Sequence, residues 1–178
     1  MANEITATAF FSLLLLAIQD KFKNDIPEIK WVDQDFYQLE NYEIRPPVEF
    51  PCVLVDFSTT TYDMLSGNEQ WGNQHIQFKL AFAPFSNSHS EEPISYRQKA
   101  IEYYELEQKI FKKLQAWDGG GLCQPMTRIS AVSQQGRGDA YRVRVITFTT
   151  AFNDDDATLE TVKNARPGLA LDIDDDSE

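Results

Sequence analysis

The chain is poor in the residues that build most reactive sites. It has two cysteines, Cys52 and Cys123, and two histidines, His75 and His89, among 178 residues. Two cysteines make no disulfide framework, and two histidines build no multi-histidine zinc centre. Cys52 sits in a strand-like run and reads as a buried thiol. Basic residues are also scarce, 16 against 28 acids, for a net charge of −12. That balance argues against a duplex-DNA binder that works by phosphate neutralisation, and against docking on anionic lipid. Long apolar runs are missing. Ala9–Ile18 is apolar apart from Ser12, and ten residues are too few to span a bilayer. Met1–Thr8 carries Glu4 and no Lys or Arg, and Gln19-Asp20-Lys21 offers no small-residue cleavage site. A cytoplasmic, reducing environment is therefore expected, with no signal peptide and no membrane partner.

What is present is enough for one core. Apolar residues make up 42% and aromatics 12%. A domain of this length buries roughly 70% of its unfolded surface without metal or disulfide. The acids are uneven. Residues 153–178 hold nine acids against two bases, a net of −7, so −5 of the total falls on residues 1–152. The expected organisation is a single domain over 1–152 and a loose acidic tail over 153–178.

Periodicity predicts the elements. Ile5, Ala9, Phe10, Leu13, Leu14, Ala17 and Ile18 recur at helical spacing over about Glu4–Lys23. Phe11, Leu15 and Leu16 make the other side oily, so this helix is expected to be covered on more than one side. Ile29–Tyr37 reads as an edge strand and Phe50–Phe57 as a central one. Ser58–Gly72 reads as a long polar connection carrying Tyr62, Met64, Leu65 and Trp71. Asn73–Ala83 alternates as a strand with one wet face. Ser95–Trp117 is an amphipathic helix, with Ser95 and Gln98 as a capping box and Gly119-Gly120-Gly121 as its stop. Gln124–Gln134 and Tyr141–Phe152 close the domain around a Gln135–Gly138 hairpin loop. The order is α-β-β-β-α-β-β. It predicts an α+β fold, with a mainly antiparallel or mixed sheet of about five strands and both helices on one face.

No motif carries chemistry. The triple glycine follows a helix, whereas phosphate loops precede one. Asp172-x-Asp174-x-Asp176 begins a calcium-loop rhythm but reaches Ser177 where glycine is needed. Arg137-Gly138-Asp139 is a turn. Asp33 and Asp35 share a strand face, the spacing of an acid–base pair, but nothing else in the sequence converges on them. No catalytic, cofactor-binding or metal site is expected, and no enzymatic activity. The candidates are interface residues. Tyr62, Met64 and Trp71 are of the anchor type, unless they fold back onto the domain's own core. Arg137 lies in the hairpin loop. Leu169, Leu171 and Ile173 form an apolar island in the tail, able to add as a strand to an open sheet edge or to stay unstructured.

Several features together resemble one family. They are the oily first helix, the proline-broken stretch into Phe50-Pro51-Cys52-Val53-Leu54-Val55, the long connection, and the alternating strand. A long helix running to Trp117-Asp118-Gly119 and a last strand hairpin complete the set. Over about residues 5–152 this layout resembles the tail-terminator, or tail-completion (minor tail), proteins of long-tailed phages and prophages. The resemblance implies a non-enzymatic structural protein that forms a homo-hexameric ring. Such a ring caps the tail tube, ends tube polymerisation and meets the head–neck connector. It implies assembly in the host cytoplasm, then residence in the virion. Thr60–Gly72, Gln134–Gly138 and the sheet edges would make the contacts, and a mildly acidic ring suits a channel through which DNA passes without sticking. The acidic tail is no part of that pattern. A different reading is a small binding or assembly-chaperone module that holds a basic partner through that tail.

Overall fold

A computed structural model describes residues 7–41, 48–83, 89–134 and 141–157. Helix α1 spans Phe10–Asp25 and strand β1 Trp31–Gln34. Strand β2 is Cys52–Met64 and β3 is Gln70–Phe82. Helix α2 is Ile94–Leu114, followed by β4, Thr127–Gln134, and β5, Arg142–Asp154. The predicted α+β order holds. The strands form one sheet in the order β1-β2-β3-β5-β4. β1 runs parallel to β2, and every other neighbour pair is antiparallel, so the sheet is mixed.

Strand periodicity sorts the core into two layers. Val53, Val55, Ile76, Phe78, Leu80, Ile146 and Phe148 face the helices. They bury Leu14, Ile18 and Phe22 of α1 and Leu106, Ile110 and Leu114 of α2. Each helical set recurs at steps of four, so each helix buries one stripe. Both helices thus lie on one face, as expected. On the other face Cys52, Leu54, Ala81, Val143 and Val145 meet Leu39 and Val48 in a smaller cluster. β5 is buried on both faces over Val145–Phe148, as a strand inside the sheet should be.

The long polar connection over Ser58–Gly72 is not a loop. β2 continues to Met64 and β3 begins at Gln70, with only residues 65–69 between them. Gly67 (φ 59°) and Asn68 (φ 67°) supply the two left-handed residues of a tight hairpin turn, closed by Glu69 N–H to Ser66 C=O at 2.9 Å. The stretch reads as polar because it passes beyond the helices, so its apolar alternation stops while its pairing does not. Thr59, Thr60, Thr61 and Tyr62 have the β-branched or aromatic shapes that strands favour.

Helix ends also differ from expectation. Pro93 is the N-cap of α2 and no side chain caps it. Ser95 falls inside the first turn, so the Ser95–Gln98 box does not form. α2 ends at Leu114, before the glycines. Ala116, at φ 63°, turns the chain back, and its N–H bonds Met126 C=O at 2.8 Å. The glycines shape the next turn instead. Gly119 has φ +68°, and a Cβ there would lie 2.9 Å from Leu14 Cδ1, so glycine lets this turn seat against α1.

One charged pair fastens α2 to the sheet. Arg144 Nε and Nη2 donate to Glu107 Oε2 and Oε1 at 2.8 and 3.0 Å, and Nη1 donates to Ser133 at 3.0 Å. Both partners are largely buried. Removing one leaves the other charge desolvated, whereas replacing both by apolar groups does not. Glu107→Ala is therefore expected to cost about 2–3 kcal/mol. The double variant Glu107→Leu/Arg144→Met is expected to recover most of it. Urea unfolding of both variants beside the unaltered protein checks this.

Candidate interaction surface

The candidate surface is the distal end of the β2–β3 hairpin, together with the end of β5. Tyr62 pairs with Gly72, Met64 with Gln70, and Gln70 with Asp154. On the helix-side face, Phe152 is the anchor. Phe10 stacks on it at 3.7 Å, and Tyr62 meets it edge-on at 6.1 Å. A Cβ at Gly72 would sit 2.6 Å from the Phe152 ring. The missing side chain is thus filled by a neighbouring aromatic. These contacts tie the arm to the first turn of α1, beyond which the hairpin tip projects.

The sequence candidates separate here. Tyr62 is shared between core and solvent, since its ring touches Phe152 and remains 44% exposed. Met64 is 65% exposed. Trp71 is half-buried on the opposite face, paired with Asp63 and Asn153. Arg137 and the tail residues Leu169, Leu171 and Ile173 lie outside the described residues. Leu65, 53% exposed beside Met64, completes the apolar tip. The signal for the tip was Ser66-Gly67-Asn68-Glu69, a two-residue turn between β-forming runs. Ile129 and Val132, exposed on β4, carry no such signal, because a sheet edge is visible only once the strand order is known.

Charge at this end has one sign. No Lys or Arg occurs between Asp56 and Phe78 or between Val145 and Val162. Asp63, Glu69, Asp154, Asp155 and Asp156 lie at or just beyond the strand ends that form the tip. Asn73 donates to Asp63 at 3.2 Å and Asn153 to Glu69 at 2.6 Å, which holds two of these carboxylates in place. Aromatic and Met anchors ringed by one sign of charge fit a protein partner of the opposite sign.

The densest titratable cluster lies elsewhere, on the sheet face away from the helices. Lys79 pairs with Asp35, and with Glu40 at 3.3 Å. The Tyr37 ring lies 5.5 Å from its ammonium. Gln38 Nε2 donates to Gln34 C=O at 2.8 Å, and Tyr141 donates its hydroxyl to Leu39 C=O. This clasp closes residues 35–40 over the smaller core cluster. The Asp33–Asp35 pair is thereby divided. Asp35 is held by Lys79, while Asp33 accepts from the Gln34 N–H at 2.8 Å. Burial opposes the Lys79 charge, but the hydrogen bond and charge of Asp35, with help from Glu40, outweigh it and raise its pKa.

Other chemistry is thin. Burial pushes the Cys52 thiol up to about 12 and raises Cys123 as well, so neither favours the reactive thiolate at neutral pH. Among the described residues no cluster of three His, Cys, Asp or Glu is placed to hold a metal, and no helix is long and apolar enough to cross a membrane. No protein-family model matches the chain, and no curated protein matches it in sequence.

Asp56 gives a pH test of the clasp. Burial, then repulsion from Asp35, raises its pKa, with Lys79 opposing. A carboxyl that binds its proton more tightly folded than unfolded opposes folding once ionised. Asp56→Asn is therefore expected to stabilise the protein at neutral pH. The gain should shrink as pH falls through the carboxylate range near about 4. Urea midpoints of both proteins across that range check the sign.

Proposed function

We propose that the chain is a structural, non-enzymatic protein that assembles into a ring on the end of a phage tail tube. The observation that carries this reading is the hairpin arm. It is paired to its tip, projects beyond the first turn of α1, and presents Tyr62, Met64 and Leu65 with acids as the charged groups beside them. β1 and β4 are the two edges of the sheet, and exposed Trp31, Ile129 and Val132 lie on them. Exposed apolar anchors and sheet edges suit a subunit that builds an assembly. The layout that resembles tail terminators supplies the choice of assembly. A hexameric ring matches the tube end on one side and offers a different outer face, so no further tube subunit adds. The other side meets the head–neck connector. The net negative charge leaves little affinity for DNA phosphates passing through.

A second reading rests on one observation. β5 ends at Asp154 beside the tip, so Asp155, Asp156 and the acidic residues 158–178 continue from that end. An assembly chaperone would use this acidic end to hold a basic partner.

The test adds the full chain, and a chain ending at residue 157, to polymerising tail-tube protein. Growth is followed by light scattering and electron microscopy. The ring reading expects both forms to halt growth and to leave ring-shaped caps on tube ends. Unchanged growth, with basic-partner binding lost on truncation, would move the assignment to the chaperone.

A further inference from the structure

A second surface complements the hairpin tip. Between the end of α1 and the edge strand β1 lies an open groove of ≈ 530 Å³. Pro27, Ile29 and Val32 line it, and Lys23, Lys30 and Glu49 add charged groups to its wall. Lys30 and Glu49 form an exposed pair at 3.3 Å, so the groove carries net positive charge. Its volume falls within the range of about 300–1,000 Å³ that accommodates small ligands, which is room for two side chains. The tip is its counterpart: Met64 and Leu65 project, flanked by Asp63 and Glu69 and by no base.

The two surfaces cannot meet within one molecule. Val32 pairs with Val53 at the start of β2, and Met64 lies 11 residues farther along the same strand. At the rise of an extended chain that is about 35 Å. Tip-to-tip contact between copies would oppose acids against acids, which is repulsive. Tip-to-groove contact between copies pairs apolar with apolar and carboxylate with lysine. It is also a head-to-tail contact, the kind that closes a ring when the rotation allows.

We propose that the hairpin tip of one copy seats Met64 and Leu65 in the groove beside β1 of the next, with Asp63 and Glu69 facing Lys23 and Lys30. This rests on the ring reading and names its subunit interface.

The test is sedimentation velocity of the full chain over a wide concentration range, at low and high salt. Wild type is expected to associate, less so at high salt. Met64→Ser/Leu65→Ser and Lys23→Glu/Lys30→Glu are each expected to weaken association at least about tenfold. All four positions are at the surface or rim, so circular dichroism should show unchanged folding. Joining Asp63→Lys/Glu69→Lys to Lys23→Glu/Lys30→Glu should restore association, because the charges are exchanged. If wild type associates and the variants associate equally well, this interface is wrong and the ring reading stands. If wild type is monomeric even at about 1 mM, this interface is overturned, and the ring reading rests on the tube-end experiment alone.

Discussion

The structure depends on one mismatch of coverage. Three strands of 13 residues each extend about 40 Å at strand rise. The helices, 16 and 21 residues long, reach about 24 and 32 Å at helical rise. The helices bury one sheet face from Phe10, stacked on Phe152, along the stripe Leu14, Ile18 and Phe22, and through Leu106, Ile110 and Leu114 of α2. Burial along β2 records the boundary, since the strand is buried from Cys52 to Val55 and mostly exposed from Ser58 onward. Everything distinctive about the surface follows from those uncovered strands.

The protein handles the uncovered part in two ways. At the proximal end of the outer face, residues 35–40 fold back and are fastened by Lys79 to Asp35 and Glu40. A cation between carboxylates suits that position, because the lysine would otherwise be a lone charge against Leu54 and Ala81. At the distal end the hairpin is left open. It is stiffened by Phe152, Phe10 and Tyr62 and charged with one sign. Exposed paired strands invite unwanted association, and acids restrain it. In the proposed contact the same acids face Lys23 and Lys30 of the next copy.

Much of this was legible in the residues, and the failures share a cause. Residue spacing located both helices and all five strands, and it was clearest where a buried stripe repeats, as in α1, α2 and the first half of β2. It misread residues 58–72, whose strands bury little, so polar composition looked like a loop although Gly67-Asn68 signalled a turn. It placed the stop of α2 on three glycines, while the actual reversal uses Ala116, held by its bond to Met126. A long-range bond of that kind leaves no local trace. Tyr62, Met64 and Trp71 stood out as candidates from residue type alone. Their separation into a shared ring, an exposed tip and a half-buried opposite face needed the pairing register. The groove beside β1 had no sequence signature, since α1, β1 and Glu49 come together only in the fold.

The central claim is that the hairpin tip and the edge beside β1 are two halves of one contact. Hydrogen exchange of the full chain, compared between dilute and concentrated solution, tests it most directly. The account predicts that amides of Met64–Gln70 and of Lys30–Gln34 slow together on concentration, while those of α2 and β4 do not change. Slowing confined to β4 or α2, with the tip and β1 unaltered, would contradict it.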